Sequence, residues 1–146
     1  MRQLRSLLRL PRRDLALLAA AWAITGISVC LVSMFSIGRT RRILRGLMHL
    51  YPQTGATVSA QRVGWAMEKA ASVTPRATCL VSALAGQAYL NRLGHSATLC
   101  IGATRNGLGG LEAHAWLEDR GDVLVGGPAP RVSGFKRFPG IDEATQ

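Results

Sequence analysis

Thr78-Cys79-Leu80-Val81-Ser82-Ala83-Leu84-Ala85-Gly86-Gln87-Ala88-Tyr89-Leu90-Asn91-Arg92-Leu93-Gly94, followed by Ala97-Thr98-Leu99-Cys100-Ile101-Gly102-Ala103 and then Glu112-Ala113-His114-Ala115-Trp116-Leu117-Glu118, decides how this chain folds. In the first segment Leu80, Ala83, Leu84, Gln87, Ala88 and Leu90 recur at steps of three and four, the spacing of one helical face. Thr78 supplies an N-cap oxygen and Gly94 a C-terminal stop, so a helix is predicted from Cys79 to Leu93. The two later segments are strand-like, and Gly-rich residues 106–110 separate them.

Working outward, Ser59 to Val73 reads as another helix, with Val63, Ala66, Met67, Ala70 and Ala71 on one face, a Thr57 or Ser59 cap, and Thr74-Pro75 to end it. Downstream, Asp119-Arg120-Gly121-Asp122 is a tight turn into a strand at Asp122 to Val125, making a hairpin with the strand of His114. Residues 126–146, rich in Gly and Pro, read as largely irregular. The result is an α+β fold with its core at 57–127, helices first and antiparallel strands after, in which the helix that starts at Cys79 meets the strand of His114.

Upstream, the chain changes character. Residues 1–45 hold nine of the basic residues against Asp14 alone, and a 24-residue run without formal charge, Leu15 to Gly38, lies between Arg12-Arg13 and Arg39, Arg41, Arg42. Its length suits a bilayer crossing, whereas Thr25, Gly26, Ser28, Ser33 and Ser36 within it argue against a spanning helix and the arginines on both sides give no orientation bias. The other reading is a soluble helix, capped by Asp14 and buried on most of its circumference, with the arginines at 39–45 meeting a partner, lipid head groups or solvent. Residues 2–10 form a short amphipathic stretch that Pro11 interrupts, and Tyr51-Pro52-Gln53-Thr54-Gly55 is a turn. No small-x-small cleavage site follows Arg12-Arg13, which argues against export. The expected organisation is a basic, apolar helical extension at 1–50 and a catalytic domain at 51–146, in a cytoplasmic protein with a peripheral membrane contact through 15–45.

The 146 residues, 48% hydrophobic and 18% charged, suffice for one domain with a core and argue against disorder. Cys30, Cys79 and Cys100 lack the spacing of a disulfide framework or a zinc site, so a reducing compartment and no metal are expected. Cys30, in an apolar run, and Cys100, between Leu99 and Ile101, read as buried small hydrophobes. His95 reads as a loop residue and His49 as surface.

Cys79 differs because it opens a helix. A thiol attacks as its thiolate, and the unpaired N–H groups and dipole of a helix start favour an anion there. His114 is the candidate base, accepting the thiol proton and returning it to a leaving amine, and the N–H groups at the helix start are placed to receive an oxyanion. Trp116, on the same strand face as His114, either walls the site or simply packs in the core.

The segments Cys79 to Gln87, Leu93-Gly94-His95-Ser96-Ala97, Ile101-Gly102-Ala103 and Ala113-His114-Ala115-Trp116-Leu117-Glu118 together resemble the lasso-peptide leader peptidases, the stand-alone protease half of the B protein in a transglutaminase-like cysteine protease superfamily. The resemblance spans about residues 57–127 and extends loosely to the N-terminal helix. It implies a transglutaminase-like or papain-like core, its Cys-bearing helix packed on the antiparallel sheet that bears the His, in a bacterial peptide-maturation enzyme with Cys79 as nucleophile, His114 as base and no cofactor. Its implied partners are the precursor's leader peptide, a separate leader-recognition protein and an ATP-dependent macrolactam cyclase. The chain itself has no phosphate-binding Gly-x-x-x-x-Gly-Lys-Ser/Thr loop.

In one respect the sequence departs from that family. The pattern expects an aspartate on the strand after the histidine. With Arg120-Gly121 as a two-residue turn, Glu118 pairs with Val123, Trp116 with Val125, and His114 faces Gly127, so the acid falls on Gly126 or Gly127. Asp122, about 16 Å along the strand, and Glu118, about 13 Å from His114, are too remote, and Glu112, about 7 Å away, shares the histidine's strand. The third member is unassigned, leaving a Cys/His dyad with a backbone carbonyl or an amide side chain as orienter. Two further readings stand beside the peptidase: a membrane-anchored cationic adaptor in which the Cys/His pair is structural, and an amide-exchanging transglutaminase-like enzyme. Nucleic-acid binding is not expected, because the arginines lack interleaved aromatics and a reading motif.

Overall fold

The computed structural model describes residues 11–51 and 58–138; the expected amphipathic stretch at 2–10, the turn at Pro52 to Gly55 and the Thr57 cap lie outside them. Four helices precede a sheet: α1 (Arg12–Met34), α2 (Ile37–His49), α3 (Ala60–Val73) and α4 (Cys79–Arg92), then β1 (Thr98–Arg105), β2 (Leu111–Asp119) and β3 (Asp122–Val125), a turn of helix α5 (Ala129–Val132) and a short β4 (Lys136–Arg137). The sheet order is β3-β2-β1-β4, antiparallel throughout. This is the α+β core expected from the sequence, with the Cys79 helix packed on the sheet that carries His114.

Caps define the central helices. The Ser59 side chain accepts from Arg62 N–H and Thr78 Oγ1 accepts from Val81 N–H, each at 3.3 Å. Gly94, at φ +86°, lets the chain leave α4 in a left-handed turn and reverse into β1. α3 and α4 cover one face of the sheet, and Val63, Met67, Leu84 and Leu90 join Ala115, Leu117 and Val125 of β2 and β3 in the main core. Cys100 and Trp116 face the other way, against Val132 and Phe135 of the tail. The tail is thus not merely irregular: it lays β4 on the free edge of β1 and caps the second face of the sheet.

The long apolar helix is shorter than the uncharged run. It breaks at Phe35-Ser36, and α2 starts anew at Ile37. Asp14 is not its cap; Pro11 precedes the helix, and the buried Asp14 carboxylate pairs with Arg62 of α3. The expectation of burial around most of the circumference also fails. α1 buries one stripe of largely small or polar residues, Asp14, Leu17, Ala21, Ile24, Thr25 and Ser28, against α3 and α4. The Thr25 and Ser28 hydroxyls donate to carbonyls one turn back, satisfying themselves within the helix. Outside lie Leu15, Ile27, Met34 and Trp22, the last 60% exposed, and Cys30 is exposed rather than buried.

The Arg120-Gly121 turn has both residues at positive φ, 52° and 91°, as a two-residue hairpin of matching twist requires. Glu118 pairs with Val123 as expected, but a bulge between Leu117 and Glu118 then makes Leu117, not Trp116, the partner of Val125. The extra residue keeps Leu117 and Val125 both in the helical core while Trp116 stays on the tail side.

Candidate active site

Cys79 is the first residue of α4 and half-buried. Thr78 satisfies one of the orphan donors at this helix start, Val81 N–H, through its hydroxyl, and its carbonyl accepts the first intrahelical bond from Ser82 N–H. The N–H groups of Cys79 and Leu80 precede these and have no carbonyl of their own helix to reach.

The packing of α4 on β2 sets the position of Cys79. A Cβ added at Gly86 would lie 2.8 Å from Leu117 Cδ1, so the helix touches the strand at this glycine. Cys79 is two turns earlier on the same helix face, about 10 Å back along the axis. Three residues before Leu117 stands His114, also about 10 Å back along the strand. The chain reverses after Gly94 and again between β1 and β2, and Cys79 and His114 both precede the Gly86–Leu117 contact in their own elements. No hydrogen bond joins the thiol to the imidazole among the described residues. The pleat of β2 turns His114 and Trp116 to the face opposite Ala115 and Leu117.

His114 is 9% exposed and held on three sides. Its ring stacks on Trp116 at 6.1 Å between centroids and lies 5.2 Å from that of Phe135. Across the sheet it faces Gly102, where an added Cβ would come within 3.0 Å of the Trp116 indole and 3.1 Å of Phe135. Nε2 lies 2.7 Å from the carbonyl oxygen of Gly126. A carbonyl only accepts, so Nε2 carries the hydrogen and Nδ1 holds the free lone pair. A backbone carbonyl, that of Gly126, therefore stands against the imidazole, at one of the two positions where the acid was expected.

The backbone there is built for glycine. Gly126 and Gly127 take φ of +109° and +98°, and a Cβ on Gly126 would meet Trp116 Cβ at 2.5 Å. Glu68 of α3 holds the same segment: its Oε1 accepts from Gly126 N–H at 2.7 Å and from Gly127 N–H at 3.4 Å. Gly64, one turn earlier on α3, lets the helix approach so closely that an added Cβ would collide with the Leu124 carbonyl. Sequence reasoning missed Glu68, because nothing local marks a helical glutamate that will meet a loop 58 residues on.

The other acids are placed elsewhere. Glu118 accepts from Trp116 Nε1 at 2.8 Å and pairs with Arg137, while Asp122 lies opposite Asp119 at the hairpin. His95 bonds the Val58 carbonyl through Nε2 at 2.8 Å, His49 is exposed at the end of α2, and Cys100 is buried. Among the described residues no group of three His, Cys, Asp or Glu side chains is placed to hold a metal ion. Two cavities, of about 320 and 300 Å³, lie between α2 and α4 and between α1 and α2, and neither is lined by Cys79 or His114. The first is ringed by Arg41, Arg45, His49 and Arg92.

A family model described as the transglutaminase-like superfamily matches residues 29–139. The chain therefore belongs to that superfamily, which includes cysteine peptidases. No curated protein and no solved structure matches it.

Proposed function

We propose that this member of the transglutaminase-like superfamily is a cysteine peptidase that removes the leader from a lasso-peptide precursor. What supports the catalytic part is that Cys79 opens α4, and that His114, on the strand against which α4 packs, has its Nε2 held by a carbonyl, leaving Nδ1 as the basic nitrogen. In the reaction Nδ1 takes the thiol proton as Cys79 Sγ bonds to the scissile carbonyl carbon. The oxyanion meets the N–H groups of Cys79 and Leu80. The C–N bond then breaks, the amine leaves with the proton from His114, and water hydrolyses the thioester. His114 is turned to the sheet face opposite Ala115 and Leu117 and no hydrogen bond to the thiol is present among the described residues, so in this reading the pair comes together only when substrate binds.

The lasso-peptide assignment rests on the motif resemblance at 79–118, and with it come a separate leader-recognition protein and a cyclase as partners. Incubating precursor with the chain and its recognition partner tests it. Cleavage between leader and core, abolished in Cys79→Ala, is expected; uncleaved precursor, or cleavage that survives Cys79→Ala, refutes it. Amide exchange in place of hydrolysis would appear as a cross-linked product in the same mass spectra.

The extension at 1–50 serves this enzyme, in our reading, as a peripheral anchor on the cytoplasmic face of an anionic membrane. α1 turns Asp14, Thr25 and Ser28 inward together with Leu17, Ala21 and Ile24, and leaves Leu15, Trp22, Ile27 and Met34 outward, an apolar outer face unlike that of a water-facing helix. It is long and apolar enough to span a bilayer, yet one stripe is committed to α3 and α4, which suits a helix lying in the interface. From Leu15 to Met67 the chain has no acidic residue, and Arg39, Arg42 and Arg45 are exposed. Co-sedimentation with phosphatidylserine vesicles, lost on replacing those three arginines and Trp22, is expected; equal recovery with and without vesicles refutes the anchor.

A further inference from the structure

We infer that Glu68 is the positioning residue for His114, acting through the Gly126–Gly127 peptide group in place of a side-chain acid; the inference rests on the catalytic reading of Cys79 and His114. A single peptide unit carries both contacts. Its carbonyl oxygen lies 2.7 Å from His114 Nε2, and its N–H, that of Gly127, donates to Glu68 Oε1 at 3.4 Å. The N–H of Gly126 donates to the same oxygen at 2.7 Å, so the carboxylate grips the peptide on both sides of Gly126.

Two effects follow. The grip fixes the rotation of the peptide, so its carbonyl points at the imidazole. A negative charge at the N–H end also favours the charge-separated amide resonance form, which strengthens the oxygen as an acceptor. An acceptor so placed keeps the hydrogen on Nε2 and stabilises the imidazolium formed when Nδ1 takes the thiol proton. No proton passes to Glu68. Positive φ at both glycines lets the peptide adopt this orientation, and Gly64 brings α3 near enough for Glu68 to reach it. The arrangement explains how a site with glycine where the family pattern has an acid retains an oriented histidine.

The test uses the full chain. Glu68→Ala removes grip and charge; Glu68→Gln keeps an acceptor oxygen and removes only the charge. Two quantities are read: the rate of Cys79 alkylation by iodoacetamide against pH, and the His114 ring nitrogen and proton signals by NMR. Expected is a loss in alkylation rate of about 10- to 100-fold for Glu68→Ala and a smaller loss for Glu68→Gln, with His114 moving from a pure Nε2–H form to a mixture of tautomers. Both variants within twofold of the parent, with unchanged ring signals, would overturn the inference. Should Glu68→Ala not fold, Glu68→Gln decides alone on the same criteria. Should parental Cys79 alkylate at the same rate with His114→Ala, the catalytic reading fails by itself, and the tautomer shift in Glu68→Gln still reports whether the relay exists.

Discussion

Replacing Gly126 by alanine should damage both the fold and the histidine. At φ +109° an L-residue is strained, which costs about 1–3 kcal/mol. The new methyl would sit 2.5 Å from Trp116 Cβ and 2.9 Å from Trp116 Cα, against a comfortable carbon separation of about 3.5–4 Å. Both atoms belong to a tryptophan that is 1% exposed and stacked against His114 and Phe135, so neither can yield easily. Overpacking of this kind costs about 1–3 kcal/mol. The two terms sum to about 2–6 kcal/mol, a large share of the roughly 5–15 kcal/mol of a small domain. Urea unfolding followed by tryptophan fluorescence measures the loss. Displacement of the Gly126 carbonyl from Nε2 should also slow Cys79 alkylation in the fraction that remains folded. A change under 0.5 kcal/mol (less than the smallest strain estimate above) with unaltered alkylation would refute the reasoning.

Other expectations follow from the same packing. Gly64→Ala would drive a methyl into the Leu124 carbonyl, which is backbone and cannot rotate away, so a loss of about 2–4 kcal/mol by urea unfolding is expected. Arg120→Asn, at φ 52° in the hairpin turn, should raise stability by about half a kcal/mol, visible as a higher urea midpoint. The hydrogen bond from Arg62 holds the Asp14 carboxyl below its ordinary range, so that stability is present above about pH 4 and fades as acid protonates the group. Asp14→Asn should flatten that acid limb in pH-dependent melting. Burial, with help from Tyr51, raises the Tyr89 hydroxyl well above its usual value. Its contribution is complete below about pH 10 and declines above it, and Tyr89→Phe should remove that alkaline decline.

The parts of the fold legible in the sequence were those whose signals are local. Ser59 and Thr78 announce the starts of α3 and α4, Gly94 the end of α4, and Arg120-Gly121 the hairpin, and all four do what their chemistry suggests. α1 was harder because its apolar residues run all round the helix. Hydrophobicity could not say that the small and hydroxyl-bearing stripe packs inward, since close helix approach favours Ala21, Thr25 and Ser28 over Trp22. The same blindness made Cys30 look buried. The bulge at Leu117 was illegible too, because it reconciles two packed faces rather than answering a turn residue. At the site, the sequence pointed to Cys79 and His114 and showed glycines where an acid was expected. It did not reveal that the Gly126 carbonyl and Glu68 occupy that place, because their meeting depends on how α3 lies against β3.

The central claim is that His114 activates the thiol at the start of α4. The exposed Cys30 provides an internal reference. Iodoacetamide labelling at neutral pH, mapped by mass spectrometry, should modify Cys79 about tenfold faster than Cys30. His114→Ala should bring Cys79 down to the rate of Cys30. If Cys79 labels no faster than Cys30 in the parent chain, or keeps its advantage without the imidazole, the account is wrong.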